Sequence, residues 1–135
     1  MRRKDARLLC FFVSFAIIIS CAGDSNVLSP EYQPQITNIA DNFQLQASGL
    51  KNVTQTLKYT WPNSGQIATV NHSSAITGGS GTITIKDAAG TQVYSAPLVA
   101  SGTVVTSPSG SAGNWTITIT LTGISGNLNL RVQKS

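Results

Sequence analysis

From Ile36 to the C-terminus, apolar and polar side chains alternate with a period of two. Phe43, Leu45 and Ala47 alternate with Gln44, Gln46 and Ser48, and Leu57, Tyr59 and Trp61 alternate with Lys58 and Thr60. Ala68 and Val70 flank Thr69, and Ile83 and Ile85 are set among Thr82, Thr84 and Lys86. Trp115, Ile117, Ile119 and Leu121 interleave with Thr116, Thr118 and Thr120. Leu128, Leu130 and Val132 then interleave with Asn129, Arg131 and Gln133. Alternate residues of a strand share a face, so each run predicts a strand with one buried and one solvated side. Weaker runs near Thr91–Ser95 and Leu98–Thr106 predict two more. No stretch repeats with the helical period.

Turn residues punctuate the runs at Pro62–Gly65, Asp87–Gly90, Ser107–Gly110 and Gly123–Gly126. About eight short strands over residues 36–135 predict an all-β fold, a single antiparallel β-sandwich of jelly-roll or Ig-like type. The strands around Ile83 and Val93 are expected to form one hairpin, and those around Trp115 and Val132 a second. The glycine-rich Thr77–Thr82 segment lacks the Gly-Lys-Ser/Thr end that grips phosphate and reads as a flexible loop.

The N-terminus follows a different rule. Arg2, Arg3, Lys4 and Arg7 precede the mostly apolar stretch from Leu8 to Ile19. A membrane span needs about 20 apolar residues, so this stretch suits the core of an export signal instead. Its end, Ile18-Ile19-Ser20-Cys21, resembles the lipobox of bacterial lipoproteins. The resemblance implies a signal peptide over residues 1–20, cleavage before Cys21, and acylation of Cys21 that ties the chain to a lipid bilayer. It also implies residence in the cell envelope. Ala22, rather than Asp, resembles the outer-membrane default, facing either the periplasm or the surface. Residues 21–35, with Pro30 and Pro34, read as the lipidated cysteine and a tether of up to about 45–50 Å.

Processing of this kind changes the chemistry available. The whole chain has a formal charge of +4, but past residue 20 Lys51, Lys58, Lys86, Arg131 and Lys134 face Asp24, Glu31, Asp41 and Asp87, leaving +1. That removes the basic footprint expected of a nucleic-acid partner. Cys10 leaves with the signal and Cys21 carries lipid, so no thiol remains for a disulfide or a metal. The four acids are scattered without calcium-loop spacing, and nothing implies a cofactor.

Few residues suggest catalysis. His72 is the single histidine and neighbours Ser73 and Ser74. Adjacent strand residues point to opposite faces, and no third group is placed to orient the imidazole. Ser48-Gly49-Leu50-Lys51 has the Ser-x-x-Lys spacing of penicillin-recognising enzymes, but it lies on a strand pattern where the chemistry needs a helix start. Binding has better candidates. Tyr59 and Trp61 share a strand face, and an aromatic beside Pro62 could stack on a sugar ring or anchor the core. Tyr94 has the opposite parity to Val93 and is expected at the surface.

In the C-terminal half, the sequence Thr82–Thr91 ends in Asp87-x-x-Gly90-Thr91. Gly113-Asn114-Trp115-Thr116-Ile117 and Gly126-Asn127-Leu128 follow. The series resembles the jelly-roll modules of the P-domain and pre-peptidase C-terminal types found on secreted proteases, and implies fold alone. The reading is a non-catalytic, membrane-anchored lipoprotein whose β-sandwich contacts an envelope protein or a polysaccharide. A structural envelope lipoprotein without a diffusible ligand is the alternative, and a small hydrolase the second.

Overall fold

The computed structural model describes residues 27–98 and 104–135. The signal segment and Cys21 lie outside the described residues. After a 3-10 turn at Pro30–Tyr32 come β1 (Gln35–Ile39), β2 (Asn42–Asn63), β3 (Ala68–His72) and β4 (Ala75–Lys86). They are followed by β5 (Gln92–Pro97), β6 (Val104–Thr106) and β7 (Gly113–Lys134). Every pairing is antiparallel.

Two 22-residue strands organise the molecule. β2 and β7 pair along their whole length, from Asn42 opposite Gln133 to Asn63 opposite Gly113. A straight strand of that length would span about 70 Å. Instead the Asp41 amide donates to the Pro62 carbonyl at 2.8 Å, so the two ends of β2 meet. The Phe43 and Tyr59 rings, sixteen positions apart on one strand, lie 5.2 Å apart. The fold-over falls where register shifts interrupt the pairing between Ala47 and Gln55. Bulges sharpen twist and bend a strand, which is how one sheet turns a corner and faces itself.

A front layer thus contains β1, the first half of β2, the second half of β7, β3 and β6. A back layer contains the second half of β2, the first half of β7, β4 and β5. The inward sides meet in one core, including Phe43, Leu45, Val70, Leu130 and Val132 from the front and Leu57, Trp61, Ile83, Ile85, Trp115, Ile117 and Ile119 from the back.

The expected antiparallel β-sandwich is therefore present, with seven strands among the described residues. The β4–β5 hairpin forms as expected, with Ile83 opposite Ala96 and Ile85 opposite Tyr94. The hairpin expected between Trp115 and Val132 does not form, because both belong to β7. Gly123–Gly126 is the corner of that strand, with Ile124 fully buried. Thr77–Thr82 is likewise strand rather than loop, since it belongs to β4 and pairs with β7 through the same corner. In the segment expected as tether, Leu28 is 1% exposed and part of the core, and Tyr32 packs against it. Val27 accepts a hydrogen bond from Gln55 Nε2 at 3.1 Å. From Val27 onward that stretch is docked on the domain.

Asp87 gives the Asp-x-x-Gly-Thr series a physical role. It is 6% exposed; Oδ1 accepts from the amides of Ala89 and Thr91 at 3.0 and 2.8 Å, and Oδ2 from the Ser111 amide at 2.9 Å. One carboxylate closes the β4–β5 turn and holds the loop before β7, and the amide of Ser111, the first of its donors, holds its pKa below the usual carboxylate range.

Candidate functional site

The three aromatic candidates all turn toward the interior. Trp61 is fully buried and meets Trp115 edge-on, with ring centroids 5.9 Å apart at 87°. It presents no surface to a ligand and serves the core, the other role its position allowed. Tyr59 is half-buried against Phe43, and burial pushes its phenol up to about 12. Tyr94 is not the surface residue expected. Opposite Ile85 it shares the inward side of the hairpin, and its hydroxyl lies 2.8 Å from His72 Nε2.

That hydroxyl–imidazole contact joins β3 in the front layer to β5 in the back. His72 is 4% exposed, and its Nδ1 has no hydrogen-bond partner among the described residues. Ser74 Oγ is taken up by the Asn129 backbone, accepting from its amide at 3.0 Å, so no serine–histidine pair forms. Desolvation lowers the His72 pKa below 6.5. A depressed imidazole pKa contributes stability that is complete above the unfolded value and is lost as pH falls through the folded one. Asp41 and Asp87, whose pKa values are also lowered, add their losses below the usual carboxylate value of 3.8. With one histidine in the chain, the midpoint of urea unfolding should fall between pH 7.5 and 5, and His72→Gln should flatten that fall. An unchanged slope in the variant would remove His72 as its source.

The outward faces differ from the core and from each other. On the back layer, Thr56, Thr120 and Thr82 stand in one lateral row, and Lys58, Thr118 and Thr84 in the next. This face is the threonine array legible in the sequence.

On the front layer the outward positions are mostly amides. Gln35 lies opposite Gln46 and Gln46 opposite Asn129, while the Ser73 amide donates to the Asn129 carbonyl at 3.0 Å, extending the row across four segments. The next row toward the sheet's far end is Thr37, Gln44, Arg131, Asn71 and the exposed Val104.

Where the first row meets the corner of the sheet, a groove of about 390 Å³ opens. Gln33, Gln35, Gln46, Asn127 and Asn129 line it with Ser48 and Ser73, and Ala47, Ala75 and Leu128 supply its small apolar surface. It forms because Ala47 opposite Leu128 is the last regular pair before β2 shifts register, so the strand surface falls away there. Gln33 has a left-handed backbone, φ 47°, at the end of the 3-10 turn that leads into β1 beside the groove. Asn127 holds the rim by accepting from the Gly49 amide at 2.9 Å. The side-chain amides of Gln33, Gln35, Gln46 and Asn129 make no hydrogen bond to another described residue.

The groove's volume is at the small end of the range for ligand sites, roughly 300–1,000 Å³. Each free amide offers two donors and an acceptor, a match for vicinal hydroxyls. No acidic, basic or aromatic side chain lines it. Among the described residues there is no cluster of three His, Cys, Asp or Glu that could hold a metal. The outward parity of Gln44, Gln46, Asn129 and Arg131 was legible in the sequence. Gln33, Gln35 and Asn127 were not, because they reach the groove through the pairing of distant strands.

No family model matches the chain, and no curated protein matches it. Solved structures give distant likenesses. The C-terminal CBM6 of LamC, a marine laminarinase from Zobellia galactanivorans, is 15% identical with a TM-score of 0.37, covering 75% of this chain and 88% of that one. The carbohydrate-binding module CBM6cm-2 of Cellvibrio mixtus lichenase 5A, solved in complex with cellotriose, is 18% identical with a TM-score of 0.36. That match covers 76% of this chain and 87% of the module.

Proposed function

We propose that the chain is a non-catalytic lipoprotein of the cell envelope whose β-sandwich binds polysaccharide through the groove on its front layer. The observation that carries this reading is a set of unengaged amide side chains converging on one recess at the corner of the sheet. Hydroxyl-rich ligands are held by such groups, because each amide can donate to one hydroxyl and accept from the next. A protein partner is less well served, since interfaces concentrate their energy in aromatic, arginine and large apolar anchors, and the groove's apolar lining is limited to Ala47, Ala75 and the buried Leu128. The inward-turned His72 and the engaged Ser74 support the absence of catalysis.

The anchor in this proposal is an acylated Cys21 after removal of residues 1–20, and the outer membrane is its location. Two or more acyl chains anchor stably, whereas one gives only marginal binding. Only residues 22–26 would then separate the lipid from the docked Val27, a reach of under about 20 Å at roughly 3.3–3.6 Å per residue. The domain would ride close to the bilayer on this proposal.

Affinity electrophoresis of the full chain through gels containing soluble polysaccharides tests the binding. Retardation by at least one polymer is expected, with Gln46→Ala and Asn129→Ala each weakening it about 3–30-fold, the worth of one or two hydrogen bonds. Both positions face outward, so the melting temperature should not move. Migration unaffected by every polymer would reject the proposal and leave a structural envelope role.

A further inference from the structure

On the front face, Arg131 has no ion-pair partner among the described residues. Arg131 is exposed between buried Leu130 and Val132, and therefore points outward on the same side of β7 as Asn129. Two positions along a strand separate them, roughly 7 Å. Gln44 and Asn71 stand opposite Arg131 on the neighbouring strands. Neither is acidic, and Arg131 makes no salt bridge among the described residues. The described acids are placed elsewhere: Asp41 is bonded to Ser64 and Lys134, Asp87 to its three amides, and Glu31 lies in the 3-10 turn, hydrogen-bonded with Tyr32.

We propose, building on the polysaccharide reading above, that the ligand is an acidic polysaccharide carrying uronate groups. A sugar residue sits in the groove, and the chain runs along β7 so that a neighbouring carboxylate meets Arg131. The guanidinium is a planar fork that pairs with a carboxylate through two parallel hydrogen bonds, and here it need not first break an internal ion pair. The surrounding amides satisfy hydroxyls without adding a competing charge. A neutral polysaccharide would leave Arg131 idle, while an acidic peptide would find the charge with only Val104, two strands away, as an exposed apolar contact in that row.

The probe is polygalacturonate, compared with the same polymer after methyl esterification, which removes the charge and keeps the hydroxyls. Binding of the full chain to immobilised polymer should be about tenfold or more tighter for the acid than for the ester, as expected for one charge-assisted contact. Arg131→Gln should remove that preference while leaving the weaker binding of the ester intact. Gln46→Ala should weaken both, and Lys86→Gln, on the back layer, neither. Equal affinity for acid and ester would overturn the uronate assignment but keep the groove. Competition by poly-glutamate as effective as by free polygalacturonate would also overturn it, since charge alone would then suffice. Binding to neither polymer, nor to any other in the electrophoresis panel, would remove the polysaccharide reading itself.

Discussion

Gly126→Ala is expected to yield no folded protein. Gly126 sits at φ 122°, where L side chains rarely go, and an added Cβ would lie 2.1 Å from the Ala75 carbonyl oxygen and 3.1 Å from Ile76 Cα. Those atoms cannot retreat, because Ile76 pairs with Gly126 and Ala75 with Asn127 in the same ladder. The neighbouring Gly79 meets the Gly123 carbonyl in the same way, so two glycines on β4 and β7 let the backbones touch at the corner. The cost should exceed about 4 kcal/mol, beyond the ordinary range for a point substitution. Gly90→Ala supplies the contrast. It has φ 83° but open space around it, so only the conformational cost of about 1–2 kcal/mol applies. Soluble yield and circular dichroism of the two variants check the difference; a cooperatively folded Gly126→Ala protein would show that the corner is not held by backbone contact.

Trp115→Ala is the second large effect, a loss of about 3–5 kcal/mol in urea unfolding. Trp115 is fully buried on β7, stacks edge-on with Trp61, and donates from Nε1 to the Ser111 carbonyl at 2.8 Å. Removing it opens a cavity between the layers and releases the loop that Asp87 grips from the other side. Trp115→Phe keeps most of the apolar volume and should recover more than half of the loss. A loss below about 1 kcal/mol for Trp115→Ala would mean the layers repack around the gap.

What could be read from the sequence, and what could not, follows from the same glycines. Period-two alternation marks faces, and the inward positions of β2 and β7 were recovered from it: Phe43, Leu45, Leu57, Trp61, Ile117, Ile119, Leu130 and Val132 are all fully buried. Alternation is silent about whether a glycine ends a strand or bends it. Gly123 and Gly126 read as a turn in the sequence because turns and corners need the same backbone freedom, and only the position of Ala75 and Ile76 across the ladder distinguishes them. β1 was missed as a separate strand because every one of its residues is exposed, leaving no buried side for the pattern to mark.

The site suffered from the opposite problem. Aromatics draw attention as binding residues, yet in a sandwich of this size large rings are the means of filling the space between layers. Tyr94 faces inward, against the parity that Val93 suggests, because the register shift after Ile85 reverses it. The amides were visible one by one as polar partners of the core residues. Their convergence was not, since it depends on Gln35 meeting Gln46 and on Gln46 meeting Asn129, eighty-three positions further along the chain.

The most direct test of the account is a nuclear magnetic resonance titration of the full chain with galacturonate oligomers, following side-chain amide and backbone signals. Saturable shifts are expected at Gln35, Gln46, Asn127 and Asn129, reaching Arg131, with the threonine face of the back layer unmoved. Shifts confined to Thr84, Thr118 and their neighbours, or none anywhere while another sugar binds there, would contradict it.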